Sequence, residues 1–328
     1  MNMMTAMAAD DANVYLRSYL APFANWLDAD DVTEILVNRA GEVWVERSGA
    51  AAMERHAVPA IDAQLLERLA HQIARINHQG VSRETPLLAA TLPDGARVQM
   101  VLPPATRGDA ALAIRKHVVH DLSLDDCLAG CAAPASAPGT DTGLAAQLAS
   151  GDLTGFLRSA VAARRTILLS GGTSSGKTTL LNALLKEIPA SERVIAIEDT
   201  PEIRLDRPNA VGLVAVAGDQ GEARVSVDDL MRASLRMRPD RLLVGELRGA
   251  ETVTFLRAIN TGHPGSLSTI HASSVDGAFE QIALMCMQAG LGLTRSETVD
   301  YARSMVDVVV QMTRAAGRRE ISEVRLLS

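Results

Sequence analysis

Residues 171–178 read Gly171-Gly172-Thr173-Ser174-Ser175-Gly176-Lys177-Thr178, which matches the phosphate-loop pattern G-x-x-x-x-G-K-S/T at every required position. Glycines let successive backbone N–H groups curve around a phosphate, and the following helix presents the positive end of its dipole. Lys177 is expected to reach the β- and γ-phosphates, and the Thr178 hydroxyl to ligate Mg²⁺. Together with Thr179, this stretch predicts a binding site for a nucleoside triphosphate.

The sequence around the loop has the order that such a site requires. Arg165–Ser170 is short and apolar, as in a buried strand, and Lys177–Lys186 carries leucines at helical spacing. Similar apolar stretches follow with helical segments between several of them, which favours a parallel sheet covered by helices on both faces. The predicted strands are Thr166–Ser170, Arg193–Glu198, Arg241–Gly245 and Ser266–Ile270.

The end of the chain has a different pattern. Thr294 and Glu297 have the spacing of a capping box for a helix that runs through Ser304. Val306–Met312 and Glu320–Leu327 then predict a hairpin that turns at residues 315–317.

The N-terminal part predicts a smaller α+β module. Its features are a hairpin of Val32–Val37 with Glu42–Glu46, a helix carrying Ile61, Leu65, Leu69, Ile73 and Ile76, a hairpin turn at Asp94-Gly95, and strands at Arg97–Leu102 and Ala111–Lys116. In the last two strands, Arg97 and Arg115 fall on the opposite pleat face from the apolar residues. Both side chains are therefore expected to project from the sheet toward polar surroundings.

Length and composition predict two domains in a cytoplasmic protein. The chain has 328 residues, 47% of them apolar, and Ala, Pro, Ser, Gly and Thr dominate a linker-like stretch at 127–143. We therefore expect an N-terminal domain at 1–126 and a second domain at 144–328. No apolar run is long enough for a membrane span, and the first ten residues do not resemble a signal peptide. The net charge of −7 argues against direct binding of nucleic acid.

Three polar clusters follow the phosphate loop, each expected at the end of a predicted strand. They are Glu198-Asp199-Thr200-Pro201-Glu202, Gly245-Glu246, and the segment Thr261–His271 with His263 and His271. Ligands in open parallel sheets bind beyond the carboxyl ends of the strands. A carboxylate at such a strand end can orient the attacking water or hold a magnesium-bound water.

Over nearly its full length the chain resembles the hexameric traffic ATPases of bacterial secretion, most closely the VirB/Trb-type ATPase of type IV secretion and conjugation systems. The resemblance lies in four boxes that occur in order and in phrases of the N-terminal part. The boxes are Walker A at Gly171–Thr178, the acidic box at Ile197–Glu202, Walker B at Leu242–Glu246 and the histidine box at Thr261–His271; the phrases are at 33–38, 41–45, 95–99 and 114–116.

This resemblance implies a RecA-like P-loop NTPase domain preceded by the smaller α+β domain. It implies a homohexameric ring, peripheral at the cytoplasmic face of the inner membrane, that contacts inner-membrane components of the secretion channel. Hydrolysis of ATP with Mg²⁺ would drive pilus assembly or the transfer of DNA or protein. It also implies that Arg97 and Arg115 reach the nucleotide phosphates when the two domains close, and that both histidines act near the phosphates.

Two departures from the family pattern affect the site. Ser174 stands where the family often has glycine, a mild change if its φ stays negative. Walker B ends in Gly245-Glu246 without an aspartate, so Mg²⁺ is expected to rely on Thr178 and Glu246. Either Glu198 or Glu246 could then be the base, and we expect Glu198 to position the water and Glu246 to face the magnesium.

Three alternatives share part of the pattern. Type II secretion and type IV pilus motors have the same boxes, but a four-cysteine zinc module, which many assembly motors carry, cannot be built from three scattered cysteines. Retraction motors lack that module and stay possible. A nucleic-acid motor is disfavoured because 3% aromatic residues leave little for base stacking. A non-catalytic scaffold would lack the carboxylates, and both are present.

Overall fold

The structure, a computed structural model, describes residues 14–50, 52–116, 122–129, 135–137, 141–216, 225–315 and 318–327. The described residues form two compact units, one ending before residue 117 and one beginning after residue 121. The first unit has one hydrophobic core, and the second has two, one on each face of its sheet.

The first unit is a six-stranded antiparallel sheet with one long helix. Its helices are α1 (14–20), a 3-10 turn (Ala21–Phe23), α2 (Ala24–Leu27) and α3 (Ala63–Ile76). Its strands are β1 (Val32–Val37), β2 (Glu42–Arg47), β3 (Glu54–Ala57), β4 (Leu87–Thr91), β5 (Arg97–Val101) and β6 (Ala111–Arg115). They lie in the order β3-β2-β1-β6-β5-β4.

Local signals set these elements. β1 and β2 pair antiparallel across a turn that ends at Gly41, whose φ of +86° suits glycine. Asp62 caps α3 by accepting the Leu65 N–H at 2.7 Å, and the face with Leu66, Leu69 and Ile73 is buried. Ile61, which the helical spacing included, lies before the cap. Both predicted hairpins and the helix are otherwise confirmed.

The second unit is an eight-stranded, mostly parallel sheet between two layers of helices. Its helices are α4 (Leu124–Leu128), α5 (Thr142–Ala149), α6 (Leu153–Ala162), α7 (Lys177–Glu187), α8 (Val227–Ser234), α9 (Glu251–Asn260), α10 (Val275–Gln288) and α11 (Arg295–Met305). Its strands are β7 (Ala135–Ala137), β8 (Ile167–Gly171), β9 (Val194–Glu198), β10 (Ala210–Val214), β11 (Arg241–Leu247), β12 (Leu267–Ile270), β13 (Val308–Ala315) and β14 (Arg318–Leu326). Their order is β10-β9-β11-β12-β8-β13-β14-β7.

The two faces of this sheet carry different helices. One core contains residues of α4–α7, and the other contains residues of α8–α11. Alternation along β8 divides its side chains between them, with Leu169 in the first core and Leu168 in the second. The predicted α/β class with helices on both faces is confirmed, as are the four predicted strands.

The chain ends as predicted, in a capped helix and a hairpin. The Thr294 hydroxyl and the Glu297 carboxylate form the reciprocal capping box of α11. β13 and β14 pair antiparallel up to Ala315 and Arg318. The turn predicted at residues 315–317 lies mainly outside the described residues.

The boundary between the units lies earlier than the linker predicted at 127–143. Cys127 and Leu128 pack in the first core of the second unit, and β7 pairs with β14 at the sheet edge. The described residues of this stretch are thus part of the second unit rather than a free connection. Composition misled here, since a short edge strand in an Ala- and Pro-rich stretch shows no period.

Within the described ranges, every helix is too short or too polar to cross a bilayer.

Candidate nucleotide-binding and hydrolytic site

The phosphate loop joins β8 to α7 at the edge of the second sheet where its parallel strands end, here called the carboxyl edge. α7 begins at Lys177 after Gly176, which has φ +97° and provides no side-chain cap for the first helical N–H groups. Those donors are therefore left for an anion at the helix N-terminus. The predicted strand, loop and helix are confirmed in their order.

Close packing explains the first glycine of the loop. A Cβ on Gly171 would lie 2.5 Å from the Met312 carbonyl oxygen and 2.6 Å from Ser175 Oγ. No side chain fits that space, so β13 lies directly against the start of the loop. Ser175 Oγ also donates to the Gly172 carbonyl at 2.9 Å, which closes the turn.

Ser174 has a left-handed backbone conformation. Its φ is +58°, in the left-handed region where glycine is favoured. The condition for a mild substitution is therefore not met, and serine costs about 1 kcal/mol relative to glycine at such a position.

Lys177 lies inside the loop and is bonded to its backbone. Its Nζ donates to the carbonyls of Gly171 at 2.8 Å and Gly172 at 2.9 Å. The side chain is buried, at 8% exposure. A compact ammonium held in this way lies at the loop centre, where a bound phosphate would need a counter-charge.

Glu198, at the end of β9, shapes the acidic segment that follows. Its Oε1 accepts the backbone N–H groups of Glu202 at 2.7 Å and Ile203 at 2.8 Å, which folds the chain back toward α7. The residue is 4% exposed, and burial raises the pKa of its carboxyl to about 7 against the opposing effect of those two bonds. Burial therefore favours the neutral, protonated form of this carboxyl much more than in an exposed glutamate.

The turn made by Glu198 brings Glu202 to the phosphate loop. Thr178 Oγ1 donates to Glu202 Oε2 at 2.9 Å. Asn182, one turn later on α7, holds the same segment by donating to the Glu202 carbonyl at 3.0 Å and accepting the Arg204 N–H at 2.8 Å. The carboxylate that contacts Thr178 is thus Glu202, which the sequence analysis placed in the acidic box without a role.

Glu246, near the end of β11, lies between a cation and a histidine. Arg248 Nε donates to its Oε2 at 2.7 Å, and the same guanidinium contacts Asp199. His271 Nε2 lies 3.0 Å from Glu246 Oε1, a contact that is an ion pair when the imidazole is protonated. The glutamate side chain is 13% exposed and therefore more accessible than Glu198.

Glu251 explains why Arg248 lies there. Its Oε1 accepts the backbone N–H groups of Arg248 at 2.6 Å and Gly249 at 2.7 Å. These bonds fix the loop between β11 and α9.

His263 lies away from the phosphate loop of this chain, whereas the sequence analysis expected both histidines near the phosphates. His263 precedes β12, whereas His271 follows it, and β12 runs parallel and in register with β8. A four-residue strand spans about 13 Å. The carbonyl of His263 accepts from Ser266 Oγ at 2.7 Å, at the opposite edge where the strands begin, here called the amino edge. The histidine box therefore crosses the whole sheet.

The oxygen atoms at the loop suit a magnesium ion shared with a substrate. Thr178 and Glu202 offer a hydroxyl and a carboxylate, the hard ligands that Mg²⁺ takes together with waters and phosphate oxygens. In the described part of the chain, no group of three or more His, Cys, Asp or Glu residues could hold a metal by itself. A magnesium contact of Glu246 stays a prediction.

A cleft opens beside the loop in the same unit. It is lined by Gly176, Thr179, Leu128, Met312 and Arg319, among others. Apolar side chains with a guanidinium at the margin form a surface that suits a planar ring.

In the first unit, the two arginines lie on the opposite face of the sheet from the buried apolar residues, as predicted. Arg97 and Arg115 are directly paired residues of β5 and β6, while Val98 and Ile114 beside them are buried. Arg115 Nε lies 3.9 Å from Glu34 Oε1 on the next strand. Their contact with a nucleotide stays a prediction.

The sequence analysis missed Glu202, Arg248 and Asn182 as site residues. Glu202 could have been selected because it lies four residues after Glu198, beyond a proline that forces a turn. Nothing in the sequence indicates the contact of Arg248 with Asp199, since that contact depends on β9 and β11 being neighbours.

The comparisons with known proteins agree with this geometry. Residues 19–323 match the family described as type II/IV secretion system protein. The chain is 40% identical to the type IV secretion system protein PtlH of Bordetella pertussis, over 97% of this chain and 96% of that protein.

Two solved structures share the fold. The VirB11 ATPase of the Brucella suis type IV secretion system, solved in complex with sulphate, matches with a TM-score of 0.52 and 38% identity over 94% of this chain and 96% of that one. The pilus retraction motor PilT with bound ADP has a TM-score of 0.57 over 90% of this chain and 80% of its own, but 19% identity. The likeness to PilT therefore concerns the fold alone.

Proposed function

Because this chain belongs to the family of type II/IV secretion system proteins, we propose that it is the ATPase of a type IV secretion system and hydrolyses ATP with Mg²⁺ at the carboxyl edge of its second sheet. The single observation that carries the hydrolytic part is the phosphate loop, with Lys177 at its centre and uncapped N–H groups at the start of α7. Type IV secretion is favoured over pilus retraction because PtlH and the VirB11 ATPase are 40% and 38% identical to this chain, whereas the retraction motor PilT is 19% identical.

The described residues divide the work around the phosphates. Lys177 exchanges its backbone carbonyl partners for β- and γ-phosphate oxygens and neutralises charge that develops during transfer. Thr178 and Glu202 are already in contact and would hold the metal ion together with waters and phosphate oxygens. Mg²⁺, when bound, would offset negative charge on the β- and γ-phosphates.

We assign Glu246, rather than Glu198, to the attacking water. Glu246 is the more accessible carboxylate, and Arg248 and His271 fix it from two sides. Glu198 already uses Oε1 for two backbone N–H groups and is almost fully buried. This reverses the division expected from sequence, and Glu198 then acts by shaping the turn that carries Glu202.

The cleft next to Gly176 and Thr179 is the proposed site for the base and ribose. It adjoins the first turn of α7, so a nucleoside there continues directly from phosphates in the loop. Leu128 and Met312 provide the apolar contact, and Arg319 the stacking surface.

Arg97 and Arg115 are proposed to bind the terminal phosphate when nucleotide closes the first unit onto the second. The support is their direct pairing on one polar face and the match of a planar guanidinium to phosphate oxygens. Arg115→Ala should then weaken ATP binding more than ADP binding; an equal loss of both affinities would contradict a contact with the γ-phosphate.

The proposed assembly is a homohexamer in the cytoplasm, peripheral at the inner membrane and in contact with inner-membrane components of the channel. This part follows from the family alone. Mass measurement of the purified chain with and without ATP analogue tests the ring, and a species that stays monomeric at micromolar concentration in both conditions would contradict it.

Phosphate release from ATP tests the proposed reaction and distinguishes it from the activity of a nucleic-acid motor and from a non-catalytic scaffold. The purified chain should hydrolyse ATP with Mg²⁺, lose activity when the metal is chelated, and show the same rate with single-stranded DNA added. Strong stimulation by the DNA would favour a nucleic-acid motor, and absence of turnover in the folded, nucleotide-bound chain would favour a scaffold.

A further inference from the structure

One buried polar side chain beside the phosphate loop has no part in the roles given above. Gln311 on β13 is 3% exposed, and alternation places it on the face of Val309, which belongs to an apolar core. Its paired residue on β8 is Ser170, the residue that precedes the loop, and Ser170 is fully buried on the same face.

The amide of Gln311 reaches across β8. Gln311 Nε2 donates to the carbonyl of Ala272 at 3.3 Å, and Ala272 follows β12 on the far side of β8. A carbonyl can only accept, so the amide nitrogen must face it. The small side chain of Ser170, which lies between the two strands, leaves room for this crossing.

Two polar atoms at this place lack partners. Gln311 Oε1 and Ser170 Oγ are both buried, and neither has a hydrogen-bond partner among the described residues. A buried acceptor without a partner is costly, and an apolar residue such as Val309 avoids that cost on the same strand. A buried polar residue whose hydrogen bonds are not all satisfied is expected where function, rather than stability, determines the residue type.

Gln311 lies between the phosphate loop and the segment that carries His271. Met312, next to Gln311, places its carbonyl against Gly171 at the start of the phosphate loop. Ala272, at the other end of the bond, directly follows His271, which approaches Glu246. Gln311 therefore links the segment carrying His271 to the strand that supports the loop.

We propose that Gln311 is a positioning residue for hydrolysis: its side-chain amide, through Ala272, holds His271 in register with Glu246 and the phosphate loop. This inference rests on the proposed ATPase function. The role is not that of a catalytic residue, since Gln311 contacts neither the phosphates nor the water in this scheme.

Gln311→Met tests it, since methionine has similar length and no hydrogen-bonding amide. We expect kcat to fall roughly tenfold, as misplacement of a catalytic group by a fraction of an ångström does, with KM within about twofold of wild type. Ser322→Ala is the matched control, because it removes a hydroxyl that donates to the backbone carbonyl of Gln311 at 3.3 Å without touching the amide. The control should keep the wild-type kcat.

A double-mutant cycle of Gln311→Met with His271→Ala separates a positioning effect on His271 from a general loss of packing. If Gln311 acts through His271, Gln311→Met should lower kcat much less in the His271→Ala background than in wild type. An equal fold-loss in both backgrounds, or a wild-type kcat in Gln311→Met, would overturn the proposal. If Gln311→Met does not fold, Gln311→Asn, which keeps an amide but is too short to reach Ala272, gives the same test.

The wild-type assay distinguishes a failure of the proposed ATPase function from a failure of the positioning role of Gln311. Absence of phosphate release by the wild-type chain contradicts the proposed function. Release by wild type together with full activity of the folded Gln311 variants contradicts only the positioning role.

Discussion

The two edges of the eight-stranded sheet carry similar residue types in opposite arrangements. At the amino edge, Arg241 is fully buried, binds Glu192 through two nitrogens at 2.6 and 3.0 Å, and donates to the Val161 carbonyl at 2.9 Å. At the carboxyl edge, Glu198 and Glu246 follow strands beside the phosphate loop, where α7 begins without a side-chain cap. Charges that are paired and fully bonded stabilise the fold, whereas charges around an open anion site can do chemistry.

The pKa values reflect the same difference. The bond from Arg241 lowers the pKa of the Glu192 carboxyl, so this group is ionised at neutral pH. At the other edge, burial raises the pKa of Glu198 to about 7. The edges also differ in polarity, because the parallel strands end and α7 begins at the carboxyl edge, so the helix N-terminus and the loop side chains together make that edge the site.

Lys177→Ala should have the largest effect at the carboxyl edge. Loss of the ammonium should lower ATP turnover by roughly 10³-fold or more, because no other cation is bonded inside the loop in the described structure. Steady-state phosphate release measures it. Thermal unfolding close to that of wild type is the control, and near-normal turnover by the folded variant would refute the role.

Arg241→Met tests the amino edge, where we expect a loss of stability and an unchanged kcat. Removing the cation leaves Glu192 without its main partner and should destabilise the protein by about 3 kcal/mol. Urea unfolding measures it. The kcat per folded molecule should be unchanged, and a stable variant with lowered kcat would place chemistry at this edge.

Glu246→Gln should lower kcat on the order of 10²-fold while ATP still binds, because the amide cannot accept a proton from water. Glu198→Gln is its matched control. Its Oε1 still accepts the two backbone N–H groups, so its loss should be clearly smaller. The reverse ranking, measured by single-turnover hydrolysis, would restore the division expected from sequence.

Much of this comparison could be anticipated from sequence where the signals are local. The strand, loop and helix around Gly171–Thr178 and the capped helix after Thr294 need only neighbouring residues to be recognised. The position of His263 before the predicted strand Ser266–Ile270 of a parallel sheet already indicates the amino edge. The contact of Thr178 with Glu202 could not be derived, because it depends on which strands are neighbours. β7 was missed because a three-residue edge strand is formed by its pairing with β14 and not by its own residues.

The raised pKa of Glu198 predicts a pH dependence of stability. In the unfolded chain this carboxyl titrates near 4.5 and in the folded chain near 7, so the folded state binds the additional proton between these values. Its contribution to stability is full below about pH 4.5 and is lost as pH rises through 7, by roughly 2 kcal/mol between pH 5 and pH 7. Urea unfolding at these two pH values should show a smaller decline in Glu198→Gln, and equal declines would argue against the shift.

The two histidines of the segment Thr261–His271 provide the most direct test of the claim that hydrolysis belongs to the carboxyl edge alone. They are the same residue type, eight positions apart, at opposite ends of β12. His271→Ala should lower kcat roughly tenfold, since it removes a group that fixes Glu246, whereas His263→Ala should stay within about twofold of wild type. Measured side by side in the same phosphate-release assay, a loss in His263→Ala as large as that in His271→Ala would contradict the account.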